Sequence, residues 1–590
     1  MFHQNLENLA PPDADASQVL ASRSRRDGAC EGGIMRLSVA AVILAVFAGW
    51  LLLFASILQA MPNGHGLPRG VAIGAAVALH LPYAFLLLFL GLGLVERLGY
   101  FWRGRRPVAG GVLPAVLPRV CIQLPMYNED AVALRAMDAA AALDWPSDRL
   151  EIQVLDDSTD AETAAMVRQH CEILRLAGAN IVMHHRADRQ GYKAGALEAG
   201  RRGTDAEFIA IFDADFVPGP DYLRCVVPHF YDQTGTPIAG LGLVQARWGH
   251  LNDDESLLTN AQALWVDDHH TMQQSWRSSA LDFVNFTGTA GVWRARALEE
   301  AGGWRSASLV EDCEISFRAL FAGYRTKFLK EVVVPAELPQ TIAAYRLQQK
   351  RWTQGWAQLQ RLHFKTMLSD FRTPMARKLM LAHMMTIGWQ WPLWFLWTII
   401  LPFLIFADLS LAAINSGAGL LFYMGPPLAF ALLSGLIATR EAHAAYRLAD
   451  GALRSGPVRR SFRIIPYLTI NAAMLPHHFC AFVEGLFGPL HSEFERTPKT
   501  AQVTLPTGSP KPIQPSKPAA APRKPGQSSY LLTEGAFVAT QIGWVSAFAA
   551  ADQWVAAAIA AWIILCIAGY RLAPRLIAAT RALTASGERI

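Results

Sequence analysis

Phe208-Ile-Ala-Ile-Phe212 is an apolar run that stops at Asp213-Ala-Asp215. A short apolar run bounded by polar residues reads as a buried strand. Two carboxylates at i and i+2 just past a strand end can hold a hard divalent cation through oxygen ligands. The same pattern recurs on the N-terminal side. Residues 120–124 end at Pro125-Met-Tyr-Asn-Glu-Asp130, and residues 152–155 end at Asp156-Asp157-Ser158. Residues 181–184 lead into Arg186-Ala-Asp-Arg-Gln-Gly-Tyr-Lys-Ala-Gly195. Ala-rich amphipathic stretches, 131–143 and 161–176, lie between them. Strands alternating with helices imply an α/β domain on a mostly parallel sheet. Ligands of such sheets bind at the carboxyl ends of the strands, where these acidic clusters fall.

Around this domain the composition changes. The chain has 590 residues, 52% of them hydrophobic and 17% charged, against about 25% charged in an average soluble domain. That excludes a disordered chain and argues against an ordinary soluble enzyme. A spanning helix needs about 20 apolar residues. Residues 37–60, 71–95, 380–406 and 420–437 satisfy this, and the shorter runs 537–551 and 554–570 close the chain. The run 464–487 is interrupted by Pro466, Pro476, His477, His478 and Glu484.

Arginines cluster before the first run, after the second, after the fourth and after the last, whereas the short loops 61–70 and 408–417 carry almost none. The positive-inside rule then puts both termini and the central domain in the cytosol. That parity requires an even number of spans. Residues 464–487 are therefore read as an interfacial or re-entrant helix, which leaves six spans. Residues 1–30 and the Pro/Lys/Ala/Ser-rich stretch 500–529 read as unstructured. No Lys/Arg-dense tract suggests nucleic-acid binding. The seven cysteines lack a C-x-x-C pairing, so neither a disulfide framework nor a zinc site is expected.

Two further motifs follow in order, Val310-Glu-Asp312 and Gln348-Gln-Lys-Arg351-Trp352. With this series the chain resembles the membrane-embedded, inverting family 2 glycosyltransferases, the group of cellulose, chitin and hyaluronan synthases. Within that group it is most similar to the plant cellulose-synthase-like proteins that make mannan and xyloglucan backbones. The likeness is dense over residues 118–360. It extends to Gln123-Leu-Pro-Met-Tyr-Asn-Glu129, Gly191-Tyr-Lys-Ala-Gly-Ala-Leu197, Val244-Gln-Ala-Arg-Trp248 and Gly288-Thr-Ala-Gly-Val-Trp-Arg294. Thr287 stands where the plant relatives have Asn.

The resemblance implies a GT-A-like catalytic domain and a role for each matching residue. Asp156 and Asp157 contact the nucleotide. Asp213 and Asp215 bind Mg²⁺ or Mn²⁺, with Asp213 also at the nucleotide sugar. Lys193 lies near the diphosphate, and Asp312 is the general base. Gln348, Arg351 and Trp352 bind the acceptor and face the diphosphate. Phe494-Glu-Arg-Thr-Pro-Lys499 resembles a gating loop, with Arg496 in place of Val, so Phe494, Thr497 and Lys499 would close over the donor. The implied partners are GDP-mannose or UDP-glucose, the growing glycan and the bilayer.

The expected domains are a cytosolic N-terminus (1–34), two transmembrane helices (35–98) and the catalytic domain with its interfacial Q-x-x-R-W helix (99–365). After these come two spans with the interfacial helix and gating-like loop (366–500), a linker (501–529) and two final spans (530–590). The expected protein is a multi-pass enzyme of a plasma or inner membrane with its catalytic domain in the cytosol.

The chemistry suits these residue types. Inversion at an anomeric carbon needs attack opposite the leaving diphosphate, by a sugar hydroxyl that must lose its proton to a carboxylate. The expected function is processive synthesis of a β-linked, β-1,4 mannan or glucan and its secretion through the spans. The alternative is a non-processive enzyme that glycosylates a lipid. A transporter with a soluble insert leaves the acidic motifs unexplained and would place charges within its spans.

Weaker features take ordinary readings. The pairs His184-His185, His269-His270 and His477-His478 read as core or surface histidines, and Asp253-Asp254-Glu255 as the opening of a helix. Arg459-x-x-x-Arg463 matches half of a cyclic-dinucleotide motif, with no barrel sequence following. Tyr345, Trp352, Trp356 and Leu359 fall on one stripe of a helix that can lie on a membrane surface.

Overall fold

The fold is that of a computed structural model. It describes residues 68–129, 131–370, 373–406, 417–450, 460–491 and 527–587, with a few isolated positions between 41 and 49. The opening helix is α1 (Arg69–Gly99). Among the described residues seven strands follow: β1 (Val120–Met126), β2 (Leu150–Asp156), β3 (Ile181–His185), β4 (Phe208–Ile211), β5 (Leu241–His250), β6 (Gly291–Arg294) and β7 (Arg325–Ala336). They form one sheet in the order β3-β2-β1-β4-β6-β5-β7. Strand β6 is antiparallel to both β4 and β5, and every other pairing is parallel. The carboxyl ends of β1, β2, β4, β5 and β7 therefore share one edge.

The apolar runs are continuous rather than alternating because the central strands are covered on both faces. In β4, Phe208 and Ala210 join one core and Ile209 and Ile211 the other. In β1, Val120, Ile122 and Leu124 oppose Cys121 in the same way. The period of two assigns successive residues to opposite faces. Helices α2 (Ala131–Ala141), α3 (Ala161–Leu176) and α4 (Tyr192–Arg202) connect the parallel strands. Asp160 caps α3 by accepting from the Thr163 N–H at 2.9 Å.

One expectation about a helix start is corrected. Helix α5 (Leu257–Asp267) is capped by Ser256 in a reciprocal box with Thr259, not by Asp253-Asp254-Glu255. Asp253 instead binds Arg460 at 2.9 Å and Arg463 at 2.7 Å, and Asp254 binds Arg463 at 2.6 Å. Two arginines that sequence reading counts as membrane-flanking charges are thus used inside the protein.

Beyond α6 (Glu311–Phe321) runs the long helix α7 (Ile342–Ser369). The expected span 380–406 is broken into α8 (Met375–Met385), a 3₁₀ turn at Ile387–Trp389 and α9 (Gln390–Phe406). Then come α10 (Gly417–Asp450), α11 (Ile464–Phe487), α12 (Gln527–Ala550) and α13 (Trp554–Gly587). The start of α12 lies inside the expected linker.

Against six expected spans, three stretches among the described residues are long and apolar enough to cross a membrane: Gly70–Gly104, Ile387–Ile405 and Trp554–Leu572. Residues 37–60 lie almost wholly outside the described set. Helix α12 interrupts its apolar residues with Glu534, Thr540, Gln541 and Ser546. Helix α11 packs lengthwise on α7. At Gly485 a Cβ would lie 2.3 Å from the Gln354 carbonyl oxygen, so only glycine admits this approach.

Candidate active site

The shared strand edge opens onto a cavity of about 190 Å³. Met126 and Tyr127 reach it from β1, Asp157 from β2, Asp213 and Asp215 from β4, Trp248 and His250 from β5, and Ala336 and Glu337 from β7. Lys193 enters from α4, Glu311 and Asp312 from α6, and Gln348, Arg351 and Trp352 from α7. Residues expected from motifs spread over more than 150 positions thus line one cleft.

Each carboxylate is held differently. Lys193 donates to the Asp213 carboxylate at 2.5 Å and to the Gly288 carbonyl at 2.9 Å. Burial opposes its charge, but Asp213, Glu311 and Asp312 outweigh that and hold the ammonium above its ordinary value. The Asp213 N–H donates to Thr289 Oγ1 at 2.9 Å. Asp157 forms a two-pronged pair with Arg186 at 2.7 and 2.6 Å.

Asp156 is the one expected carboxylate that does not face the cleft. It is fully buried. It accepts from Ser158 Oγ at 2.6 Å and pairs with His185 Nδ1 at 2.7 Å. A strand that alternates its side chains cannot send two neighbours to the same side, so Asp156 braces β2 against β3.

Asp312 lies in the first turn of α6, and its carboxylate accepts from the Cys313 N–H at 2.7 Å. Burial, with Glu311 beside it, pushes its pKa up to about 7, against the opposing pull of Lys193 and Arg351. Burial also raises Glu311. A carboxylate poised near neutrality inside a cleft can accept a proton from a hydroxyl. Arg351 is pulled below its ordinary value by burial, while Glu311, Asp213 and Asp312 act to retain its charge. Gly288 has φ +85°, and a Cβ there would lie 2.9 Å from Asp312 Oδ2. The position is closed to any side chain on both counts.

Aromatic rings build the other wall. Trp352 stacks on Trp265 with centroids 5.5 Å apart, and Trp265 stacks in turn on His269. Sequence reading does not single out Trp265. Its cue is the spacing of Trp265 and His269 on one helical face, and only the tertiary fold brings Trp352 against it. Arg189 over the Tyr127 ring, at 3.3 Å, is likewise unanticipated. Of the stripe read on α7, Tyr345 and Trp352 face the cleft, whereas Trp356 and Leu359 pack into a core with Phe317. Among the described residues no group of three or more His, Cys, Asp or Glu side chains converges as a metal cage. Phe494, Thr497 and Lys499 lie outside the described residues.

A second cavity, of about 350 Å³, lies among the apolar helices. Trp265 lines both it and the cleft. The second cavity is mainly aliphatic and aromatic, with Trp391, Trp394 and Trp397 in its wall. Yet Arg97 Nε, Asp268 Oδ1, Trp397 Nε1, Ser434 Oγ and Gln541 Oε1 are buried without a hydrogen-bond partner, on residues that line it.

Residues 121–255 match the model described as Glycosyl transferase family 2, and residues 208–437 match Glycosyl transferase family group 2. Glucomannan 4-beta-mannosyltransferase 1 of Oryza sativa subsp. japonica is 44% identical over 259 residues, covering 43% of this chain and 48% of that protein. Glucomannan 4-beta-mannosyltransferase 1 of Cyamopsis tetragonoloba is 39% identical over 292 residues, covering 48% and 55%. The chain spans about half the length of the curated relatives it matches. The solved mannosyltransferase PcManGT from Pyrobaculum calidifontis, in complex with GDP-Man and Mn2+, is 21% identical over 69% of this chain and 99% of that chain, with a TM-score of 0.41.

Proposed function

We propose that this chain, a relative of the plant glucomannan mannosyltransferases within glycosyltransferase family 2, polymerises a hexose from a nucleotide sugar with inversion. The product is a β-linked mannan or glucan, with β-1,4 linkage. The observation that carries the reading is the meeting of Lys193, Asp213, Asp215, Asp312, Arg351 and Trp352 in one cleft at the strand ends. The relatives named as mannosyltransferases favour a mannosyl donor, GDP-mannose, over UDP-glucose.

In this reading Asp157 and the β1 edge hold the nucleotide, and Lys193 and Arg351 face the diphosphate. Asp312 takes the proton of the acceptor hydroxyl as that oxygen attacks the anomeric carbon from the face opposite the diphosphate; the C–O bond to the diphosphate breaks. Positive groups fixed where negative charge develops stabilise that step without reorganising. Trp352, backed by Trp265, offers a flat apolar face to the terminal sugar ring.

Asp213 and Asp215, two carboxylates at one strand end, would hold Mg²⁺ or Mn²⁺ as a hard-oxygen pair. When bound, the cation neutralises charge on the leaving diphosphate.

The second cavity supports secretion of the product. Buried polar atoms without partners are uncommon in proteins. Those atoms are themselves enclosed, and the wall that faces the cavity is aromatic: Trp391 and Trp394 offer flat faces on which sugar rings can stack as the product passes. We further propose that the catalytic domain lies in the cytosol and that Phe494, Thr497 and Lys499 close over the donor. The test is to incubate membranes with labelled GDP-mannose or UDP-glucose and digest the product with linkage-specific glycanases. A β-1,4-mannanase- or glucanase-sensitive polymer is expected; transfer of single sugars to extractable lipid would overturn the reading.

A further inference from the structure

Gln358 is fully enclosed in α7, two turns beyond Arg351. Its side chain joins two segments that are remote in sequence. The amide oxygen accepts from the Leu309 N–H at 2.9 Å. The amide nitrogen donates to the carbonyls of Pro489 and Leu490 at 3.1 and 3.2 Å. Leu309 lines the cleft and lies three residues before Asp312. Pro489 and Leu490 belong to the segment by which the chain leaves α11.

Other contacts define the same junction. Arg361 donates to the Gly488 carbonyl at 2.6 Å and to the Gly485 carbonyl at 3.1 Å. His491 Nδ1 lies 3.3 Å from the Ser306 carbonyl oxygen. The same face of α7 meets the loop 306–310 again at Gly355, where a Cβ would lie 2.6 Å from Val310 Cγ1. The exit segment 488–491 thus rests on the loop that leads into the first turn of α6. Gln358 bonds to both. A glutamine can serve both because it alone among uncharged side chains of that length has an acceptor and two donors.

We propose that Gln358 is a positioning residue for Asp312: it makes the placement of the loop 306–310, and so of the carboxylate at its end, depend on the seating of the segment 488–491. The proposal rests on the reading of Asp312 as the base. A change in the segment 488–491 would then reach the reacting atoms through this amide, beside the direct His491–Ser306 contact. Breaking either arm should loosen the carboxylate while leaving the donor-binding strand ends untouched.

The test uses the full-length enzyme in membranes, with whichever of GDP-mannose and UDP-glucose supports synthesis. Gln358→Met keeps size and removes both arms. Gln358→Glu, when ionised, keeps the acceptor toward Leu309 and removes the donors toward Pro489 and Leu490. Both variants are expected to lower kcat about 10- to 100-fold and to leave the donor KM within about twofold. The effect should vanish in the Asp312→Asn background, since a group that acts through Asp312 has nothing left to position.

Wild-type turnover by Gln358→Glu would show that Gln358 only supports Leu309, and would overturn the coupling. An equal loss from Gln358→Met in the presence and absence of Asp312 would overturn the route through that carboxylate. Near-normal transfer by Asp312→Asn alone would instead refute the base assignment, which separates the two failures. If Gln358→Glu does not fold because of a buried charge, Gln358→Met, alone and paired with Asp312→Asn, decides the matter.

Discussion

Lys193 and Asp213 form an ion pair at 2.5 Å, so the first carboxylate of the Asp213-Ala-Asp215 motif already has a cation of the protein's own. The same ammonium bonds the carbonyl of Gly288, beside Asp312. One lysine therefore ties the strand end to the loop that faces the proposed base. Lys193→Met should lower kcat about 10²- to 10³-fold, the scale seen when a fixed charge-stabilising group is removed. It should also raise the donor KM, because Asp213 is left uncompensated. Initial rates with labelled nucleotide sugar measure both. Unchanged kcat would confine Lys193 to a structural role.

The pH dependence follows from Asp312, whose pKa burial and Glu311 push up to about 7. Its base form is lost below that value, so kcat should rise about tenfold per pH unit up to about 7 and then level off. The stability effect has the opposite sense. A carboxyl raised in the folded state costs stability as pH rises from the ordinary carboxylate range through about 7. Asp312→Asn should thus lower transfer about 10²- to 10⁴-fold while leaving a measurable rate, preserve nucleotide binding and raise the melting temperature at pH 8. A variant that loses nucleotide affinity as steeply as turnover would argue for a structural role.

Metal removal should stop turnover. Asp213 and Asp215 beside a diphosphate carry more negative charge than Lys193 alone offsets, so a further cation is needed among them. Excess chelator is expected to abolish synthesis, with recovery on adding Mg²⁺ or Mn²⁺, and Asp215→Asn to lose activity that added metal does not restore. Full synthesis in chelator would sink the proposed cofactor.

Trp265 stands at the boundary between the cleft and the second cavity, stacked on Trp352. Removing a stacked aromatic face costs about 0.5–1.5 kcal/mol beyond lost area. Trp265→Ala should therefore weaken acceptor binding about tenfold and shorten the product, with the donor KM unchanged. Size-exclusion profiles of the labelled glycan test this, and a product of normal length would remove Trp265 from the acceptor path.

Gly288→Ala combines a left-handed backbone with a Cβ 2.9 Å from Asp312 Oδ2. The backbone alone costs about 1–2 kcal/mol for a residue with a Cβ, and the contact must push the carboxylate aside. The variant should keep its membrane level but lose at least about 10²-fold in kcat. Near-normal turnover would mean that Asp312 moves freely.

Local pattern alone determined much of this protein. Four apolar runs ending in acidic or glycine-containing clusters announce strands whose polar ends share an edge, because a strand buried on both faces can carry polar groups only where it stops. Their order with Glu311-Asp312 and Gln348–Trp352 marks the chemistry. Tertiary structure decided which of two adjacent carboxylates faces the cleft. Alternation sends Asp157 inward to the site and Asp156 into the β2–β3 brace, a choice of face that no composition encodes.

Long-range packing also assigned Asp253 and Asp254 to Arg460 and Arg463, over 200 positions away. It set Trp265 against Trp352 and laid the chain after α11 on the loop before Asp312. The fold also raises the pKa of Asp312, because burial among Glu311, Lys193 and Arg351 is a property of the assembled cleft. A sequence lists those charges; their mutual distances, and hence which effect wins, exist only after folding.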